Sequence, residues 1–155
     1  MHQNTNTPKR YGHALYRLIP LLLFLYACSS VRLIQEYDET TDRKVTQLQE
    51  KFARFFVRMQ KQTGQPDGRF DHYEGFYEDV HTELNVLEVR NRAIPKSELT
   101  EEQLGLLEDQ VLRLEKLHQI GFTDYRELVP VKSAMESSFA ALIKFQIALK
   151  NRIKS

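Results

Sequence analysis

The sequence predicts an all-α protein, an up-and-down four-helix bundle that follows an N-terminal export segment. Three observations carry this expectation. Apolar residues recur at steps of three and four in four separate segments, which places them on one face of a helix in each. Gly and Pro fall between those segments, where the chain must reverse. No stretch alternates apolar and polar residues as a half-buried strand does, and no internal repeat or low-complexity run is present. Short connections make successive helices antiparallel. A three-helix core with one helix packed elsewhere is the alternative.

The first helix is expected from Asp42 to Gln62, with Val45, Leu48, Phe52, Phe55 and Met59 on its buried face. Gly64 suits its C-terminal cap, and Pro66-Asp67-Gly68 marks a turn. Asp71 and Glu74 stand at capping-box spacing and open the second helix, which Pro95 bounds. Its stripe is Tyr73, Tyr77, Val80, Leu84 and Leu87. For the third helix, Thr100 and Gln103 form a capping box, with Leu99 and Leu104 at the staple positions. Leu107, Val111, Leu114 and His118 continue its stripe to Gly121. A short turn is expected from Thr123 to Leu128. Pro130 then suits an early position of the fourth helix, which carries Val131, Met135, Ser138, Leu142, Phe145 and Leu149.

Composition bounds the answer. With 155 residues there is room for one domain, and 41% hydrophobic with 28% charged residues excludes wholesale disorder. A net charge of +1 argues against a nucleic-acid partner. That near-neutrality hides an asymmetry, because Lys9, Arg10 and Arg17 precede residue 28 with no acid among them. Setting them aside leaves 19 basic against 21 acidic side chains, a balance of −2.

Those basic residues flank the apolar run from Leu18 to Ala27, and a basic flank, a short apolar stretch and a small residue are the parts of a secretory signal. The run is too short to span a bilayer, which takes roughly 20 apolar residues. Leu25-Tyr26-Ala27-Cys28 closes it and resembles the lipobox of bacterial lipoproteins, with Tyr26 departing from the small residue commoner at that position. The resemblance implies cleavage by signal peptidase II before Cys28 and lipidation of Cys28. It also implies a protein anchored to the cell-envelope membrane and facing the periplasm. In that family's sorting rule Ser29, not being Asp, implies the outer rather than the inner membrane. The expected organisation is a signal peptide over 1–27, a lipidated Cys28 and tether over 28–41, and a helical domain over 42–155. A buried free thiol at Cys28, or a signal peptide of the non-lipoprotein kind, is the alternative. Because it is the only cysteine, no intramolecular disulfide is possible.

Two Glu-x-x-His pairs, Glu78 with His81 and Glu115 with His118, resemble the ligand motif of ferritin-like di-iron bundles. At about 100° per residue, however, Glu78 points away from its helix's apolar stripe, as do the other candidate carboxylates, Glu50 and Glu136. His118 lies within its stripe. It reads as a core histidine, as a cation near a helix C-terminus, or as a haem or metal ligand with Met59. Nucleophile motifs and Gly-rich phosphate loops are absent. No catalytic residue, cofactor or metal is therefore expected. The stretch from Phe70 to Tyr77 reads as a helix start with core aromatics, or else as a recognition patch.

A second apolar set (Val57, Val86, Val89, Leu106, Leu112, Ile143 and Ile147) falls off the main stripes. On the fourth helix Phe139, Ile143 and Ile147 form a line that either the bundle itself or a partner covers. Together these features predict a non-enzymatic envelope lipoprotein acting through a protein partner. A bundle that binds haem, metal or an apolar small molecule is the rival.

Overall fold

The helices pair in a closed ring. In the computed structural model, which describes residues 34–153, α1 (Glu39–Gln62) packs against α2 (Glu74–Arg92), α2 against α3 (Glu98–Ile120), α3 against α4 (Val129–Ile153), and α4 back against α1. This is the expected up-and-down four-helix bundle. The described residues contain no strand, and none of their helices is long and apolar enough to cross a membrane. The signal segment, Cys28 and the first part of the tether lie outside the described residues.

The stripes of the first three helices form the core as their periodicity requires. Val45, Leu48, Phe52, Phe55 and Met59 on α1 meet Tyr73, Tyr77, Val80, Leu84 and Leu87, together with Leu104, Leu107, Val111 and Leu114 on α3. Phe52 sits among the rings of Phe55, Phe56, Phe76 and Phe139 at 5.4–6.5 Å between centroids. Such aromatic packing contributes beyond the area it buries.

On α4 the buried face is rotated from its expected position by roughly 40°, taking 100° per residue. It runs Met135, Phe139, Leu142, Gln146, Leu149, while Val131, Ser138 and Phe145 stay only partly covered. This helix is apolar nearly all round, so its pattern fixes its rotation weakly, and the contact of Phe139 with Phe52 at 5.8 Å decides it. Of the second apolar line, the bundle itself covers Phe139 and most of Ile143 and leaves Ile147 exposed.

Three helix starts differ from expectation. α1 begins three residues early, because Asp38 is extended and its carboxylate accepts from the Thr41 N–H at 2.8 Å and the Thr41 hydroxyl at 2.7 Å. α2 begins at Glu74 without a side-chain cap, and Asp71 belongs to a preceding 3-10 turn, Phe70–His72. α3 begins at Glu98, and the Ser97 hydroxyl bonds the Glu101 carboxylate. Thr100 is therefore inside the first turn, where it is buried and donates to Gln35 at 2.9 Å, while Leu99 is exposed. Of the three, only α1 carries a side-chain cap, won by Asp38 from Asp42, while α2 and α3 start without one and the Thr100 hydroxyl is taken by Gln35.

Two clasps hold the segment before α1. The Gln35 N–H donates to the Lys96 carbonyl at 3.0 Å, and Arg90 holds Asp38 with two bonds of 2.6 and 2.7 Å. The end of the expected tether is thus part of the folded unit. The Arg90 guanidinium holds the Asp38 carboxyl down at about 2, below the usual carboxylate range. Asp38→Ala is expected to cost about 0.5–2 kcal/mol for the cap alone. Asp38→Asn should keep most of the cap but lose the ion pair. Urea unfolding of both variants separates the two contributions. Since the folded carboxyl titrates below its ordinary 3.8, its contribution is complete above that pH and fades as pH falls toward 2.

Buried polar groups gather at this same end. Gln35, Thr41, Asn91, Thr100 and Gln146 are all covered, and Leu149 is buried outside the continuous apolar core. Neither amide atom of Gln146 has a hydrogen-bond partner among the described residues.

Candidate functional site

The chemistry-bearing side chains collect at the opposite end, where α1 and α3 finish and α2 begins. α1 stops at Gln62, with the Thr63 N–H donating to the Met59 carbonyl and Gly64 taking a left-handed φ of 77°. The 3-10 turn Pro66–Gly68 then folds back and delivers the Gly68 carbonyl to the interior.

That carbonyl meets His118, which is 1% exposed. The ring Nε2 lies 2.9 Å from the Gly68 oxygen, and Nδ1 lies 3.0 Å from the Tyr77 hydroxyl. A carbonyl can only accept, so Nε2 carries the proton and Nδ1 accepts from Tyr77. Around the imidazole stand Tyr73 and Phe122 at 5.1 Å, and Phe70, Tyr77 and Phe55 at 5.8–5.9 Å. Burial in this aromatic shell pushes the histidine pKa down, against a smaller upward pull from the Gly68 carbonyl. Burial likewise pushes the Tyr77 phenol up, so both partners are neutral.

His118 is therefore a satisfied core histidine that pins the α1–α2 connection to α3. This overturns its expectation as a cation near the helix C-terminus, because desolvation outweighs the dipole. With both ring nitrogens engaged, neither offers a lone pair to a metal in this arrangement. Met59 is fully buried in the apolar core.

The two Glu-x-x-His pairs divide. Glu78 is exposed, as are Glu50 and Glu136. His81 and Glu115 instead pair with each other across α2 and α3 at 2.7 Å. Further along that seam Glu108 and Glu88 approach one another. Burial, and then the Glu88 carboxylate, push the Glu108 pKa up. No group of three or more potential metal ligands comes together among the described residues.

Phe55 and Tyr73 face both ways. Behind them is His118, and in front is an open cleft of about 570 Å³ between α1 and α2. Lys51, Arg54 and Arg58 form its α1 wall, while His72 and Phe76 stand on the other side. In the Phe70–Tyr77 stretch the core reading accounts for Tyr73 and Tyr77, with Phe70 and Phe76 packed against them, but His72 opens into this cleft. The cleft itself was not anticipated. Its signal in the sequence is the basic series at 51, 54 and 58, which flanks the apolar stripe of α1 on one side.

A second exposed feature is apolar. Leu99, Leu106 and Leu117 fall within about 20° of one another around α3, and Ile120 within about 60°. They are exposed by 44, 55, 40 and 83%. Against models of protein families, curated proteins and solved structures, this chain has no match.

Proposed function

We propose that the chain is an envelope lipoprotein, anchored to the membrane through Cys28, whose bundle acts as a non-enzymatic interaction or assembly module. The lipobox-like Leu25-Tyr26-Ala27-Cys28 motivates the anchor, and Ser29 favours the outer membrane. The observation that carries the interaction role is the leucine row on α3. At 1.5 Å per residue, Leu99 to Ile120 extends for roughly 30 Å of helix surface. Gln110 and exposed Arg113 stand between Leu106 and Leu117, so the row is two apolar pairs on one side of the helix, and exposed aliphatics aligned in this way suit a contact with a partner. Six residues separate Cys28 from Gln35, where the bundle begins, so the seven Cα-to-Cα steps between them span at most about 25 Å. The module is thereby kept close to its membrane.

Cys28→Ala tests the anchor. The variant is expected to remain unprocessed and unlipidated, seen as a larger species that no longer partitions like the wild type in membrane fractionation. Normal maturation and partitioning of Cys28→Ala would reject the lipoprotein reading. A photo-crosslinking residue at Leu106 tests the contact surface in intact cells. One discrete adduct, absent when the probe stands at exposed Glu78, is the expected result, and no adduct from Leu106 counts against the α3 surface.

A further inference from the structure

We propose that the cleft between α1 and α2 binds an oxyanion carried on an apolar body, such as an aryl or alkyl carboxylate or phosphate. This goes beyond the anchoring and interaction role and does not rest on it. The volume of about 570 Å³ lies within the range of small-molecule sites. Three cations line the cleft against one carboxylate, that of Asp67. Their pairing differs. Lys51 is engaged by Glu83 at 2.7 Å and Asp79 at 3.4 Å. Arg54 reaches Glu50 only at 3.7 Å, with both side chains more than half exposed, a pair that contributes little. Arg58 has no carboxylate partner among the described residues.

Two guanidinium groups at i and i+4 repel each other, so helix α1 gains nothing from setting Arg54 beside Arg58. An oxyanion between them turns that repulsion into two charge-assisted contacts, and the planar guanidinium suits carboxylate and phosphate oxygens. The base of the cleft explains why the ligand should carry an apolar body. Phe55 and Phe76 are stacked there at 4.7 Å between centroids, with Tyr73 edge-on to Phe55 at 5.4 Å. Phe76 is only partly buried, and so keeps apolar ring surface available to a bound ring or chain. The basic wall and the aromatic base are held together by the turn that His118 fixes from behind.

Calorimetric titration of the full-length protein in a non-ionic detergent provides the test, with 2-naphthoate and 2-naphthyl phosphate as probes and 2-naphthamide as the uncharged comparator. Saturable binding of at least one anion, with 2-naphthamide at least about tenfold weaker, is the expected result. Arg58→Gln and Arg54→Gln should each weaken the anion by about tenfold, while Arg113→Gln on the distant face of α3 leaves it unchanged. Both cleft arginines are exposed, so unaltered helical circular dichroism and unfolding midpoints are expected for these variants. Equal binding of the amide, equal binding by the two cleft variants, or no saturation up to millimolar anion would each overturn the proposal. A preference between the two anions identifies the oxyanion.

Discussion

Gly68→Ala is expected to destabilise the protein by about 3 kcal/mol or more, the upper range for overpacking at a site that cannot give way. A Cβ at this position would lie 2.1 Å from the Gln62 carbonyl oxygen and 2.7 Å from its carbon. Both are backbone atoms of the last turn of α1, so no side chain can rotate aside. Relief requires the 3-10 turn to move outward, which draws the Gly68 carbonyl away from His118. Gly75 and Gly105 provide the control: a Cβ there meets nothing within 4 Å, and both lie inside helices. Alanine at either should be neutral or stabilising by up to about 1 kcal/mol. Urea unfolding at neutral pH measures all three. A Gly68→Ala change within about 0.5 kcal/mol of wild type would mean that the turn is not packed as described.

His118→Leu should cost about 2–5 kcal/mol at pH 7.5, because the Tyr77 hydroxyl and the Gly68 carbonyl are both left buried without a partner. The same variant should also remove a pH dependence. The folded imidazole titrates below its ordinary 6.5, so the unfolded chain takes up the proton first. Stability from His118 is therefore complete above about pH 6.5 and is lost as pH falls from there through the lower folded value. Protonation would also put a second N–H against the Tyr77 hydroxyl, which now donates to that nitrogen. Glu108 has the opposite sign, since its folded pKa is raised above 4.5 and acid relieves its contact with Glu88. Subtracting the variant's profile from that of the wild type cancels Glu108 and isolates the histidine. A difference that stays flat between pH 7.5 and 5 would show that His118 titrates normally and is not held neutral.

Helix number, order and the inward faces of α1, α2 and α3 were legible in the sequence, because burial against one core imposes a period that Leu48, Leu84 and Leu114 all obey. Helix starts were less legible. Asp38 and Asp42 both have capping chemistry, as do Ser97 and Thr100, and only the tertiary partners Arg90 and Gln35 decide between them. Gln146 was missed for a related reason, since its inward position follows from the rotation of α4 and not from its own polarity. His118 was visible as a buried residue, but its partner Gly68 was not. A backbone carbonyl leaves no mark on side-chain pattern. The cleft was hidden because its two walls belong to segments read separately, and only the packing of α1 on α2 brings Arg58 and Phe76 to the same opening.

The two clasps before α1 determine how the domain responds to being pulled. Force applied along the N-terminal chain does not arrive first at the hydrogen bonds of α1. It arrives at Gln35, joined to Lys96 in the α2–α3 connection, and at Asp38, joined to Arg90 on α2. Traction is shared at once among three helices of the ring, and α1 can begin to fray from its first turn only after both links part. Lys96 carries a left-handed φ of 64° without being glycine, so the loop that takes the load already occupies an unfavourable conformation. Under tension the first yielding event should be the release of that loop, a small extension that pays out the chain before Asp38 while the core stays closed.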